Sequence, residues 1–144
     1  RQLTYLTQVI NESMRLYPPA WITDRVALED DQVGDLEIPK GTIVVPFIYG
    51  IHHETQLWDE PEKFRPERFS AEQQKNHSPF SFIPFGGGPR LCIGSSFAMM
   101  EMQILLASWL RRFSFQLAPN QSIRAKALIT LRPEPGVHMY LHEN

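Results

Sequence analysis

Residues 80–94 read FSFIPFGGGPRLCIG and contain Cys92, the only cysteine of the 144-residue chain. Three consecutive glycines and Pro89 precede this cysteine, so neither a regular helix nor a strand can run through the segment. An apolar helical pattern begins directly afterwards and covers residues 95–112. Cys92 therefore lies at or just before a helix N-terminus, where unpaired N–H groups and the helix dipole favour a thiolate over a thiol.

The residues alone leave the role of this thiolate open. A zinc site is not predicted, because there is no second cysteine and no His-Cys cluster with ligand spacing. A phosphate-binding loop is not predicted either, because residues 86–88 are followed by neither G-K-[ST] nor G-x-G-x-x-G spacing. A nucleophilic cysteine and a buried cysteine without a chemical role are both compatible with the pattern.

The flanking residues resemble the haem-binding loop of the cytochrome P-450 family, whose motif is F-x-x-G-x-R-x-C-x-G. Every fixed position of that motif is matched, by Phe85, Gly88, Arg90, Cys92 and Gly94. A cysteine thiolate is the haem ligand of this family. The resemblance therefore implies that the chain binds haem b (iron protoporphyrin IX) and that Cys92 is its iron ligand.

The resemblance also implies roles for residues near the ligand. Arg25 and Arg90 would each pair with a haem propionate, since two cations suit a dianionic edge. Phe85 would pack near the sulfur and limit its contact with solvent. The remaining haem-binding positions implied in this way are Gly88, Ile93, Gly94 and Ala98. The two glycines would leave room for backbone N–H groups to bond the sulfur, and Ala98 would be a small residue close to the macrocycle.

Two shorter motifs lie outside this loop. Glu12 and Arg15 match the family's E-x-x-R, and residues 66–69 match P-E-R-F. Taken alone, Glu12 and Arg15 would be an exposed i,i+3 pair worth about 0.2–0.5 kcal/mol. The resemblance implies instead a buried structural network in which the planar groups of Arg15 and Arg68 both bind the carboxylate of Glu12.

The periodicity predicts three helical segments and several short strands. A helix with apolar residues at Leu3, Leu6, Ile10 and Met14 should end before Pro18-Pro19. Residues 46–58 should contain a short helix, and the apolar helix over 95–112 should be buried on all sides. A charged turn is predicted at residues 29–31, and the predicted strands cover residues 22–28, 35–38, 42–45, 113–117, 123–131 and 137–141.

These elements and the resemblance define the expected fold class. We expect a mainly α protein with small antiparallel β-sheets, corresponding to the C-terminal part of the cytochrome P-450 fold. Residues 1–144 would form the C-terminal haem-binding part of one domain whose N-terminal part lies outside this chain, because a helical pattern is already under way by Leu3. The acid–alcohol pair that delivers protons in the family would lie outside it too. We therefore assign no catalytic residue here and expect this part alone to be inactive.

Two segments resemble those that line the substrate cavity of the family. The first contains Ala20, Trp21 and Ile22, and the second is an expected hairpin tip around Leu128 and Ile129; both indicate an apolar organic substrate. Trp21 is also compatible with a plain core position. His52 and His53 are adjacent and cannot share a face of a regular element, so a structural role is expected for them and no metal site.

The function implied by the resemblance is that of a haem-thiolate monooxygenase, which inserts one atom of dioxygen into a C–H bond using two electrons. The electron donor would be a separate reductase or ferredoxin, because no linker precedes the end of the chain at Asn144. Three alternatives remain at this point. They are a peroxide-using haem-thiolate enzyme, a haem-thiolate sensor without turnover, and a reactive-cysteine protein without haem.

Composition bounds the remaining partners and the location. The formal net charge is −2, from 14 basic and 16 acidic residues that are scattered, so no nucleic-acid partner is predicted. A single cysteine is consistent with a reducing compartment, and no apolar run is long enough to cross a bilayer. We expect this part to be soluble on the cytoplasmic side of the cell, and any membrane anchor to lie N-terminal to it.

Overall fold

The computed structural model describes residues 3–144, so the predicted range of 1–144 begins two residues outside the described part. Three α-helices and three short 3₁₀ helices are connected by short strands. The α-helices are α1 (Thr4–Leu16), α2 (Ile48–His53) and α3 (Ser95–Leu110), and the 3₁₀ helices cover Pro66–Phe69, Gln73–Asn76 and Gly88–Arg90. The strands are β1 (Arg25–Val26), β2 (Asp31–Val33), β3 (Leu36–Ile38), β4 (Ile43–Val44), β5 (Phe113–Leu117), β6 (Arg124–Ala127), β7 (Leu131–Glu134) and β8 (Met139–Glu143).

Helix α1 forms where the apolar spacing predicts it and ends before the proline pair. The Tyr17 N–H still bonds the Ser13 carbonyl at 2.9 Å, and Pro18 cannot continue the ladder because it has no N–H. Ile10, Met14 and Leu16 are buried. With Ile48, Trp58 and Phe69 they make a small core that lies between α1, α2 and the 3₁₀ helix Pro66–Phe69.

All the strands pair in antiparallel two-stranded ladders, in the order β1–β4, β2–β3, β5–β8 and β6–β7. The prediction of a turn through Asp31 is wrong, because Asp31 begins β2 and pairs with Ile38. The chain reverses instead at Gly34, whose φ of +60° a glycine adopts readily. An acidic residue is tolerated in β2 because all three residues of this strand are exposed.

The predicted strand over residues 123–131 is two strands. β6 and β7 pair with each other, with Ala127 opposite Leu131. The Leu128 N–H bonds the Thr130 carbonyl at 3.3 Å, which closes a tight turn around Ile129. Leu128 and Ile129 therefore form the hairpin tip expected there, with Ile129 99% exposed.

Burial of α3 on all sides is not observed. No side chain of this helix is buried among the described residues, and Phe97, Ile104 and Trp109 are each more than half exposed. A helix that is apolar all round needs neighbours all round, whereas here only α1 and β5 pack against it to any extent. The described residues also contain more strand than a mainly α class predicts. None of their helices is long and apolar enough to cross a membrane.

Candidate functional site

The segment before Cys92 is folded by a series of short backbone hydrogen bonds. The Gly86 N–H donates to the Ile83 carbonyl at 3.0 Å, and the Leu91 N–H donates to the Gly88 carbonyl at 3.1 Å. The Cys92 N–H donates to the Phe85 carbonyl at 3.0 Å. The loop therefore returns on itself, and the position of the cysteine depends on where Ile83 and Phe85 are held.

Cys92 lies just before α3, in the position that the sequence predicts for it. Its side chain is exposed, and Gly94 is the N-cap residue of the helix, without a side chain that could cap the first turn. Within the described residues no carbonyl accepts from the N–H groups of Ile93 and Gly94. Unpaired N–H groups at a helix N-terminus favour an anion close to them.

A cleft of about 380 Å³ opens beside the Cys92 side chain. It brings together Cys92, Arg90, Arg25 and Phe85 from the expected haem-binding set with Ala20 and Ile22 from the expected substrate-lining set. Sequence reasoning did not single out the rest of the lining, which is largely apolar and comes from Thr23, Pro46, Ile48, Ile83, Pro84, Gly86 and Gly87. Closeness in sequence to the motif residues was a signal for five of these positions, and no local signal indicated Pro46 and Ile48.

Two cations of this cleft lack an acidic partner. Neither Arg25 nor Arg90 forms an ion pair with a carboxylate of residues 3–144. The Arg25 guanidinium donates only to its neighbours, to the Thr23 hydroxyl at 3.1 Å and the Asp24 carbonyl at 2.6 Å. Both groups are therefore available to an anionic partner that enters the cleft.

The other expected haem-binding residues lie around the cleft and do not line it. Ile93 is fully exposed, at 103% of its reference area. Gly88 is at the turn of the loop, and a Cβ on Gly94 would lie 3.8 Å from the Cys92 sulfur. Ala98 is in the first turn of α3, with its N–H bonded to the Gly94 carbonyl at 2.9 Å.

Gly88→Ala is expected to destabilise the loop by about 1–2 kcal/mol, because Gly88 has a φ of +66° in the left-handed region that L-residues avoid. Gly94→Ala is the matched control, since no such backbone strain applies and its new methyl group meets only an ordinary contact distance. The free energy of unfolding of the intact protein measures both. Equal losses for the two variants would contradict the assignment of strain to Gly88.

Beneath the loop, Glu12 and Arg15 form a buried ion pair. Both are 0% exposed. Arg15 donates from Nε to Glu12 Oε2 at 2.8 Å and from Nη2 to Glu12 Oε1 at 2.9 Å, which is a bidentate arrangement. Its remaining donors reach the His52 carbonyl at 2.7 Å and the Pro61 carbonyl at 2.7 Å. The guanidinium thus ties α1 to α2 and to the segment that follows it.

Arg68 joins this cluster, but it does not form a second bidentate ion pair with Glu12 as expected. Its Nε lies 3.4 Å from Glu12 Oε1 and has no hydrogen-bond partner, while its Nη2 donates to the Glu60 carbonyl at 2.9 Å. The backbone N–H of Arg65 replaces that second pair and donates to Glu12 Oε1 at 2.8 Å. Burial lowers the pKa of Arg68, and the nearby Glu12 carboxylate opposes that shift.

His52 is a residue of this region that the sequence did not mark for a specific role. Its side chain is fully buried, and Nε2 accepts a hydrogen bond from the Ile83 N–H at 2.9 Å. Burial lowers the pKa of His52 to about 4, so the ring is neutral at physiological pH. Pairing with a residue 31 positions away leaves no local pattern that could have indicated it.

The two expected substrate-lining segments meet in the structure. The Trp21 indole N–H donates to the Leu128 carbonyl at 2.8 Å, and the Leu131 N–H donates to the Pro19 carbonyl at 2.9 Å. Ala20 and Ile22 face the cleft beside Cys92, whereas Trp21, Leu128 and Ile129 do not line it. Trp21 therefore connects its segment to the hairpin tip.

We compared the chain with a family model, with curated proteins and with solved structures, and all three comparisons match it to cytochrome P450 proteins. A sequence model of the family described as cytochrome P450 matches residues 1–139. Cytochrome P450 3A9 of Rattus norvegicus is 45% identical over 125 residues, which are 87% of this chain and 25% of that protein. A cytokinin hydroxylase of Arabidopsis thaliana is 45% identical over 140 residues, which are 96% of this chain and 27% of that protein.

Among solved structures, a cyanobacterial CYP120A1 bound to retinoic acid superposes with a TM-score of 0.93 at 34% identity. The match covers 98% of this chain and 33% of that one. The chain thus spans about a quarter of the length of the curated relatives it matches. The loop around Cys92, the buried Glu12–Arg15 pair and these matches together establish that the chain belongs to the cytochrome P450 family.

Proposed function

We propose that these residues are the C-terminal haem-binding part of a single cytochrome P450 domain, mainly α as a whole, that acts as a haem-thiolate monooxygenase. The intact protein would insert one atom of dioxygen into a C–H bond of an apolar organic substrate. The observation that carries the proposal is the position of Cys92, on a glycine-bounded loop at an uncapped helix N-terminus, beside an apolar cleft with two unpaired arginines.

The residues present fit haem b. A flat, largely apolar ring with two carboxylates and a central iron needs an apolar wall, two cations and a thiolate ligand. The cleft supplies Ile22, Ile48 and Phe85 for the first requirement, and Arg25 and Arg90 for the second. Cys92 supplies the third. Bound haem would provide the reductive activation of dioxygen, which a thiolate ligand favours because its electron density promotes O–O cleavage.

The chain's own residues would hold and tune that group. Arg25 and Arg90 would orient it through its propionates, while the free N–H groups of Ile93 and Gly94 would donate to the sulfur and lower its negative charge density. Phe85, half-buried beside the cysteine, would limit access of water to the sulfur. Gly88 would supply the turn, and Ile93 and Ala98 would pack against the macrocycle from the α3 side.

Substrate contacts would come from the two segments joined by Trp21. Ala20 and Ile22 already face the cleft, and the exposed Leu128 and Ile129 at the hairpin tip would contact substrate as part of the whole domain. A relative that is named a cytokinin hydroxylase supports hydroxylation as the reaction type. Electrons would come from a separate reductase or ferredoxin, and proton delivery from residues outside this chain.

The absorption spectrum of the reduced, CO-treated intact protein tests the proposal. We expect a strongly red-shifted Soret band, because thiolate ligation would produce one, and NADPH consumption when a reductase and an apolar substrate are added. A red-shifted band without turnover would indicate a sensor. Turnover only with peroxide would indicate a peroxide-using enzyme, and protein without any Soret band after haem supplementation would refute the proposal.

A further inference from the structure

His52 connects the buried ion pair to the loop that carries Cys92. Its backbone carbonyl accepts a hydrogen bond from Arg15 Nη1 at 2.7 Å, and its ring Nε2 accepts one from the Ile83 N–H at 2.9 Å. The ring also packs against Phe82, with the two centroids 5.3 Å apart. One residue of α2 therefore contacts both the cluster beneath the loop and the start of the loop itself.

The hydrogen bond to Ile83 determines which nitrogen of the ring carries the proton. Because Nε2 accepts, the neutral ring must be protonated at Nδ1. Nδ1 is buried and makes no hydrogen bond of good geometry among the described residues, but the backbone carbonyls of Arg15 and Met14 lie near enough to oppose the lowering of the His52 pKa by burial. Those carbonyls are the nearest acceptors for the Nδ1 proton, while Nε2 keeps the well-formed hydrogen bond to the loop.

An apolar side chain of similar size would fill the same space. It would, however, leave the Ile83 N–H without its acceptor. The Ile83 carbonyl accepts from the Gly86 N–H, and the Phe85 carbonyl accepts from the Cys92 N–H. A displacement of Ile83 would therefore be passed along a rigid series of turns to the cysteine.

We propose that His52 is a positioning residue, which holds the loop over residues 83–92 at a fixed distance from the Glu12–Arg15 pair and so sets the place of the Cys92 sulfur. The inference rests on the proposed function, because the sulfur position matters for haem ligation. The hydrogen bond from the Ile83 N–H to the His52 ring can nevertheless be measured without reference to the iron ligand.

The test compares two variants of the intact, haem-loaded protein. In His52→Gln an amide oxygen can replace Nε2 as the acceptor, whereas His52→Leu has a similar volume and no acceptor. We expect the Ile83 amide to exchange hydrogen about tenfold faster or more in His52→Leu, as for a lost hydrogen bond, and a smaller fraction of the protein with the red-shifted reduced-CO band. His52→Gln should resemble the unaltered protein in both measurements.

Equal behaviour of the two variants would overturn the proposal, since a space-filling role does not distinguish an acceptor from a methyl group. A third measurement, of the ring proton of His52, needs no variant. In the diamagnetic reduced-CO form of the unaltered protein, ¹⁵N NMR should show His52 protonated at Nδ1. A proton on Nε2 would overturn the proposal even where His52→Leu does not fold. An unaltered protein without the red-shifted band would refute the proposed function instead, and would leave the amide exchange and ring proton as valid tests of the acceptor.

Discussion

Cys92→His is expected to abolish monooxygenase activity in the intact protein even when haem stays bound. A neutral imidazole donates less electron density to iron than a thiolate and therefore promotes O–O cleavage less. The reduced-CO Soret band should also lose its strong red shift. Both effects follow from one atom, the Cys92 sulfur, which belongs to the only cysteine among these 144 residues.

The comparison requires equal haem content, so product formation is measured per bound haem. Lys75→His serves as the control, since it adds an imidazole on an exposed residue of the 3₁₀ helix Gln73–Asn76, outside the site. We expect this control to keep the activity and the spectrum of the unaltered protein. Hydroxylation retained by Cys92→His at unchanged haem content would contradict the assignment of Cys92 as the ligand.

Glu12→Gln should lower the free energy of unfolding of the intact protein by about 3–5 kcal/mol, the usual cost of removing one partner of a buried ion pair. The variant keeps the size of the side chain but removes its charge. Arg15, which is 0% exposed, and Arg68, which is 8% exposed, would then remain as buried cations without a carboxylate. Chemical unfolding followed by fluorescence measures the loss.

Glu60→Gln is the matched control for this prediction. Glu60 also faces two cations, Lys63 and Arg65, but its side chain is 47% exposed. Exposed ion pairs contribute about 0–1 kcal/mol, so this variant should be close to the unaltered protein. A loss for Glu12→Gln as small as that for Glu60→Gln would show that the cluster is not held by its charge.

Much of the local structure around Cys92 could be predicted because its causes are local. Prolines at 18 and 19 end α1 by removing N–H donors. Three glycines and Pro89 exclude regular structure before the cysteine, and the apolar pattern after it predicts the start of α3 at Ser95. These are steric and periodic properties of consecutive residues, so neighbours in sequence are sufficient to determine them.

One error arose where apolar character alone decided the prediction. The burial expected for α3 on all sides is not observed within residues 3–144. An apolar face indicates that a partner is needed, but it does not indicate that the partner lies in the same stretch of chain.

By itself the sequence determined the family, the glycine-bounded cysteine loop, the first helix and the residues that carry its charges. Only the tertiary structure decided which distant groups pair through hydrogen bonds. Arg15 bonds a carbonyl 37 residues away, Trp21 bonds one 107 residues away, and Arg65 contributes the N–H that was expected from the guanidinium of Arg68. Such pairings depend on how distant segments pack, because a buried donor bonds whichever acceptor the fold brings within reach.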